Sequence, residues 1–196
     1  RIIVSKIEHP SVLETYRELE RRGFILDYLN VDSNGLIDLN HLKSLLTKET
    51  ILLSVMHVNN VYGGVQPIKE IVELLKEYPK VHFHVDGVQG VLKKEINLSD
   101  IDSYSISAHK FHGLKGIGVL YLKSRRTVHN ITFGGGQENG LRSGTVNVAG
   151  AVSLAKALRL SYERTPDVLK KHREFKKLII NELDSINHVV INSPLD

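Results

Sequence analysis

At 196 residues the chain can bury a core without a metal or disulfide, and its complete lack of cysteine excludes disulfides, thiolate metal sites and a cysteine nucleophile within it. Its 26 basic and 22 acidic residues leave +4 spread along the sequence, and aromatics at 6% offer few stacking platforms, so direct contact with nucleic acid is a poor reading. No apolar run approaches the ~20 residues of a membrane span, and the expectation is a cytoplasmic protein without a membrane partner.

Arg1 opens directly onto Ile2-Ile3-Val4 with no initiator Met and no signal-type segment, which reads as a piece of something longer. Short β-rich runs then alternate with longer helical patterns. Strands are expected at residues 2–5, 24–29, 50–55, 81–85, 103–107 and 118–121. Val12, Tyr16 and Leu19 set a helical spacing over 11–22 that Gly23 ends, and Asp38 caps a second helix over 39–46. Pro67 suits the first helical position of a third helix over 68–77. Beyond it the period changes: Asn147 caps a helix over 148–162, and Pro166 starts another that runs to about 183. A last apolar run, Val189-Val190-Ile191, reads as a strand.

Alternation of this kind predicts an α/β fold of three layers, α/β/α, around a mostly parallel sheet. The expected division is a large domain over 1–146, followed over 147–196 by a connecting helix and the start of a small C-terminal α+β domain.

In such sheets ligands bind outside the carboxyl ends of the strands. His84-Val85-Asp86 closes one expected strand there, and Ala108-His109-Lys110 follows the next, so an acid and an amine meet one crevice if those strands are neighbours. Asp86 by itself is equally a turn former. Lys110 is distinguished by its setting, with Ser107 and His109 before it and Gly113 and Gly116 after it, a place for a partly desolvated amine suited to Schiff-base chemistry. An amine paired with a carboxylate suits pyridoxal phosphate, whose aldehyde and ring nitrogen want those two partners. A rival reading takes His82, His84 and Asp86, which alternate onto one strand face, as metal ligands. The glycines at 134, 136 and 140 miss the spacing of a dinucleotide loop, and the phosphate-loop lysine is absent.

Four strings decide between these readings: His57-Val58-Asn59-Asn60, His84-Val85-Asp86-Gly87-Val88-Gln89, Ser105-Ile106-Ser107-Ala108-His109-Lys110, and the run from Gly134-Gly135-Gly136-Gln137-Glu138 to Arg142-Ser143-Gly144-Thr145. With Glu8-His9-Pro10-Ser11-Val12 and Gln66-Pro67-Ile68 they resemble, in order and spacing, the signatures of cysteine desulfurases, fold-type I pyridoxal-phosphate enzymes of the class V aminotransferase family. The resemblance implies pyridoxal 5'-phosphate as cofactor and L-cysteine as substrate, converted to L-alanine as sulfur passes to an enzyme cysteine. From there it would go to a sulfur-acceptor protein serving iron–sulfur cluster assembly or tRNA thiolation.

By the same resemblance Lys110 bonds to the cofactor, Asp86 holds the proton on its ring nitrogen, and His9 stacks on the ring. Asn60 and Gln89 contact its phenolic oxygen, and Ser107 and His109 bind its phosphate. Thr145 reaches the phosphate of a partner subunit, which implies a homodimer. The family's Gly/Thr-rich loop would precede Arg1, and its catalytic cysteine and substrate-binding arginine would follow Asp196, so this chain is expected to be inactive alone. Two departures stand out. Val61-Tyr62 follows Asn59-Asn60 where the family usually has Glu, which weakens the polar anchoring of that loop, and Gly87 replaces a commoner Ala or Ser at the cost of some packing. The alternatives are a selenocysteine lyase or other class V aminotransferase-like enzyme, and a non-catalytic dimerisation fragment.

Overall fold

A computed structural model of the chain describes residues 1–123 and 128–194. Six strands form one sheet: β1 (Ile2–Ser5), β2 (Leu26–Leu29), β3 (Leu52–Met56), β4 (His82–Asp86), β5 (Ser103–Ser107) and β6 (Gly118–Leu122). Their spatial order is β2-β1-β3-β4-β5-β6. The first five run parallel, and β6 returns antiparallel along β5. The six strands expected between residues 2 and 121 are all present, with ends displaced by no more than two residues.

Alternation along the strands divides the core. Ile3, Leu53, Val55, Phe83 and Val85 pack on one face with Leu42 and Ile71, which belong to helices α2 (Leu39–Leu45) and α3 (Ile68–Leu75). Ile2 and Val4 point the other way, onto Tyr16, Val12, Leu13 and Leu19 of α1 (Pro10–Arg21). Helices on both faces of a mostly parallel sheet are the three layers that the sequence pattern predicts.

Local chemistry starts and stops these helices. The His9 ring accepts the Ser11 N–H as N-cap of α1, Pro10 fills the first turn, and the chain leaves the helix through Gly23 at φ 95°. Asp38 caps α2 by accepting the N–H groups of Asn40 and His41. Pro67 occupies the N-cap of α3 rather than its first helical position, at ψ 65° and with no side-chain cap.

The C-terminal region differs from expectation. Residues 148–184 form one continuous helix, α4 (Val148–Asp184), with Pro166 inside it. Proline removes one N–H, which strips the Tyr162 carbonyl of its intrahelical donor. Tyr162 is 72% exposed, so water can take that donor's place and the helix continues through the proline. The expected strand near residue 190 does not form: Val190 is 78% exposed, and no ladder partner meets it among the described residues.

Replacing Pro166 with Ala restores the missing bond on an exposed surface. It is expected to stabilise α4 by up to about 3 kcal/mol, seen as raised helicity in circular dichroism and a later unfolding midpoint, whereas a break between two helices would give little change.

Candidate functional site

Parallel pairing brings four strand ends to one edge. The ladder sets Met56 opposite Asp86 and Asp86 opposite Ser105, so the segments after β1, β3, β4 and β5 emerge side by side. Between them lies a cavity of about 280 Å³ lined by His9, Asn60, Asp86, Gln89, Ser107, His109 and Lys110, with Ser11, Met56, Val58 and Val88. Seven of the eight residues singled out from the sequence thus line one space. Thr145 does not; it is exposed in the loop that precedes α4.

Asp86 is the buried charge of this site, 7% exposed. Burial pushes its carboxyl up from the ordinary value, while the Val88 N–H at 2.9 Å, the charge of His9 and the Ser105 hydroxyl pull it down. A carboxylate so poorly solvated gains from a cationic ring N–H placed against it.

Lys110 lies in the 3-10 turn Ala108–Phe111 that follows β5. Ala108 and Phe111 are buried against Leu154, Ala157 and Leu158 of α4, and the Ser161 hydroxyl donates to the Phe111 carbonyl at 3.1 Å. His112 follows at φ 66°, and a Cβ on Gly113 would lie 2.7 Å from the Ala108 Cβ, so that turn closes only over glycine. The expected desolvation of Lys110 is not found, since the residue is exposed at the cavity. Burial pulls down the neighbouring amine of Lys93, helped by the charge of Lys110, and this amine donates to Gln89 Oε1 at 2.9 Å.

His9 caps α1 and also lines the cavity. Anchoring of the 59–66 loop does not suffer from Val61. Asn59 accepts the Val61 and Tyr62 N–H groups and donates to the Ile7 carbonyl, while Tyr62 and Gln66 both donate to the Gly35 carbonyl.

The expectation that Gly87 merely loses packing is corrected. A Cβ there would lie 1.9 Å from the Tyr104 ring, because that ring fills the space next to Asp86. Tyr104 meets His57 Nδ1 through its hydroxyl at 3.0 Å, edge to face, and burial pushes its phenol up while pulling His57 down to about 4. Nothing in the local sequence flags this pair, since its members stand 47 positions apart. The metal reading of β4 meets a different arrangement: His82 and His84 converge on one Ser103 hydroxyl, each at 2.8 Å.

The description aminotransferase class-V matches residues 1–196, the whole sequence. The chain belongs to the class V aminotransferase family. Among curated members of that family it is 43% identical to the cysteine desulfurase IscS of Clostridium botulinum strain Hall, over 100% of this chain and 50% of that protein. It is 42% identical to the enzyme of the same name from Dictyoglomus turgidum, over 98% and 50%. Solved structures agree: a NifS-like protein superposes with a TM-score of 0.93 at 37% identity, covering all of this chain and 54% of that one. DndA from Streptomyces lividans gives 0.86 at 34% identity, covering 95% and 54%. This class V chain therefore spans about half the length of the relatives it matches.

Gly87→Ala is expected to cost about 1–3 kcal/mol through overpacking against Tyr104. In a cycle of the two single variants and the double variant with Tyr104→Ala, denaturant unfolding should return a sum larger than the double-variant loss, because removing the ring removes the clash. Additive losses would show that the two positions do not share this space.

Proposed function

We propose that this chain carries the pyridoxal-phosphate site of a cysteine desulfurase. The observation that carries the reading is that Lys110 and Asp86, at the ends of neighbouring parallel strands, line one cavity with His9, Asn60, Gln89, Ser107 and His109. An amine, a carboxylate, an imidazole and a cluster of polar donors form the set that an aldehyde, a pyridine nitrogen, an aromatic ring and a phosphate require.

When bound, pyridoxal phosphate supplies an electron sink for bonds at the α-carbon of an amino acid. The residues divide the work of holding it. Lys110 is the covalent anchor, its exposure giving access to an incoming amine. Asp86 keeps the ring nitrogen protonated, its burial strengthening that bond. His9 covers the ring face from a helix cap that fixes its position. Asn60 and Gln89 orient the phenolic oxygen, and Ser107 with His109 binds the phosphate.

L-Cysteine is the proposed substrate and L-alanine the product. Transfer of its sulfur needs a thiolate, and this sequence has none, so the chain by itself binds cofactor without turnover. In the whole protein the sulfur would pass from an enzyme cysteine to a sulfur-acceptor protein for iron–sulfur clusters or tRNA thiolation, in the cytoplasm.

A homodimer in which Thr145 reaches the partner's phosphate site accords with that residue's exposure outside the cavity. We read residues 1–146 as the cofactor-binding unit and 147–196 as the connection to a second. Exposed Phe175, Leu178 and Ile179 on α4 give that second unit or a subunit apolar surface to cover.

Mixing the chain with pyridoxal phosphate, reducing with borohydride and mapping peptides by mass should place a single adduct on Lys110, with a yellow absorbance band before reduction. Lys110→Ala should abolish both. A colourless protein, or label scattered over surface lysines, would overturn the assignment.

A further inference from the structure

The proposed site makes no use of Glu8, although it stands beside His9 and is the most buried acid of the region at 4% exposure. Its Oε1 accepts two hydrogen bonds, from the Ser5 hydroxyl at 2.5 Å and from the Met56 backbone N–H at 2.6 Å. Its Oε2 is buried and meets no hydrogen-bond partner among the described residues.

Position gives these bonds a purpose. The ladder between β1 and β3 ends at Val4 and Ser54, and β2 lies on the far side of β1, so this is where the sheet's strand order reverses. Beyond Ser54 the Met56 N–H turns to Glu8 instead of to a strand neighbour. One carboxyl group therefore joins the segment that carries His9 to the strand whose end, with Met56, Val58 and Asn60, forms another wall of the cavity.

We propose that Glu8 is a positioning residue that latches these two walls together as a neutral carboxylic acid, its carbonyl oxygen accepting from Ser5 and Met56 and its proton held on the buried Oε2. The inference rests on the pyridoxal-phosphate reading only for which ligand the walls enclose.

Charge around the latch favours the neutral form. Among the described residues the titratable groups coupled electrostatically to it are Tyr16 of α1, Tyr62 of the loop after β3 and Asp86 at the end of β4, none of them a cation, and His9 adjoins it along the chain. Burial pushes Glu8 up to about 7, with Asp86 adding to the rise and the two hydrogen bonds opposing it. Because the folded value lies above the unfolded 4.5, the latch contributes its full stability below pH 4.5 and loses it as pH rises through about 7. His57 and His84, both held down to about 4, slope the other way between 6.5 and 4, so Glu8 is isolated by comparison with a variant.

Glu8→Gln keeps the shape, the carbonyl acceptor and a donor at the second position, and cannot ionise. The chain has a single methionine, Met56, so methyl-labelled methionine gives one NMR signal from the cavity wall that Glu8 holds. In the cofactor-free full chain this signal should shift with a midpoint near pH 7, and in Glu8→Gln the inflection should vanish while the low-pH position persists. An inflection that survives in Glu8→Gln belongs to Asp86 or another group and overturns the proposal, as does a wild-type signal that does not move.

The second arm measures the pyridoxal phosphate Kd from pH 6 to 8.5. The ratio of wild-type to Glu8→Gln Kd should rise by roughly threefold or more across pH 7, and a constant ratio would mean that the latch does not position the site. Absence of binding in both proteins would fail the cofactor reading, while the methionine signal still decides on Glu8.

Discussion

Everything at this site depends on the parallel hydrogen-bond ladder. Parallel strands end at the same edge, and their crossover helices occupy the faces, so the segments leaving β1, β3, β4 and β5 have only the space beyond the carboxyl ends in which to meet. Asp86 is the last residue of β4 and Ser107 the last of β5. One register between these strands fixes both, and a slip by one residue would turn the acid away from the cavity and into the opposite layer.

The edge is then stiffened by polar side chains that do the work of missing ladder bonds. Glu8 takes the Met56 N–H, Asn59 holds the turn that follows β3 and ties it to Ile7, and Gln66 reaches the Ile37 N–H and the Gly35 carbonyl. Each satisfies backbone groups that the diverging strands would otherwise leave without partners in a water-poor region. The Tyr104 ring, bonded to His57, occupies the space that Gly87 leaves open next to Asp86, whose burial dominates the carboxyl's upward shift. The amine side of the cavity is supported differently, by apolar packing of α4 beneath the turn that carries Lys110. A buried acid thus shares the cavity with a lysine that remains open to solvent.

The six strands, the first three helices and seven of the residues that line the cavity were legible in the sequence. Strand alternation, the Asp38 cap and the residues within each family-like string are local signals, each read over a short stretch of chain. Two features of the C-terminal region were not legible. A proline marks a helix start only by default, and solvent at Tyr162 lets α4 run through Pro166. The apolar run near residue 190 has strand propensity, yet a strand exists only with a partner, which sequence cannot supply.

By itself the sequence determined which chemical groups the protein has, an amine, a carboxylate and imidazoles without any thiol, and the periodicities that make a three-layer α/β fold. Tertiary structure alone decided which of them meet and how water reaches them. Lys110 is exposed where burial was expected, and the buried carboxyl groups are those of Asp86 and Glu8. Gly87 turns out to be demanded by a ring 17 residues away. The reason is physical: desolvation and close packing are set by neighbours across the sheet, and those neighbours are distant along the chain.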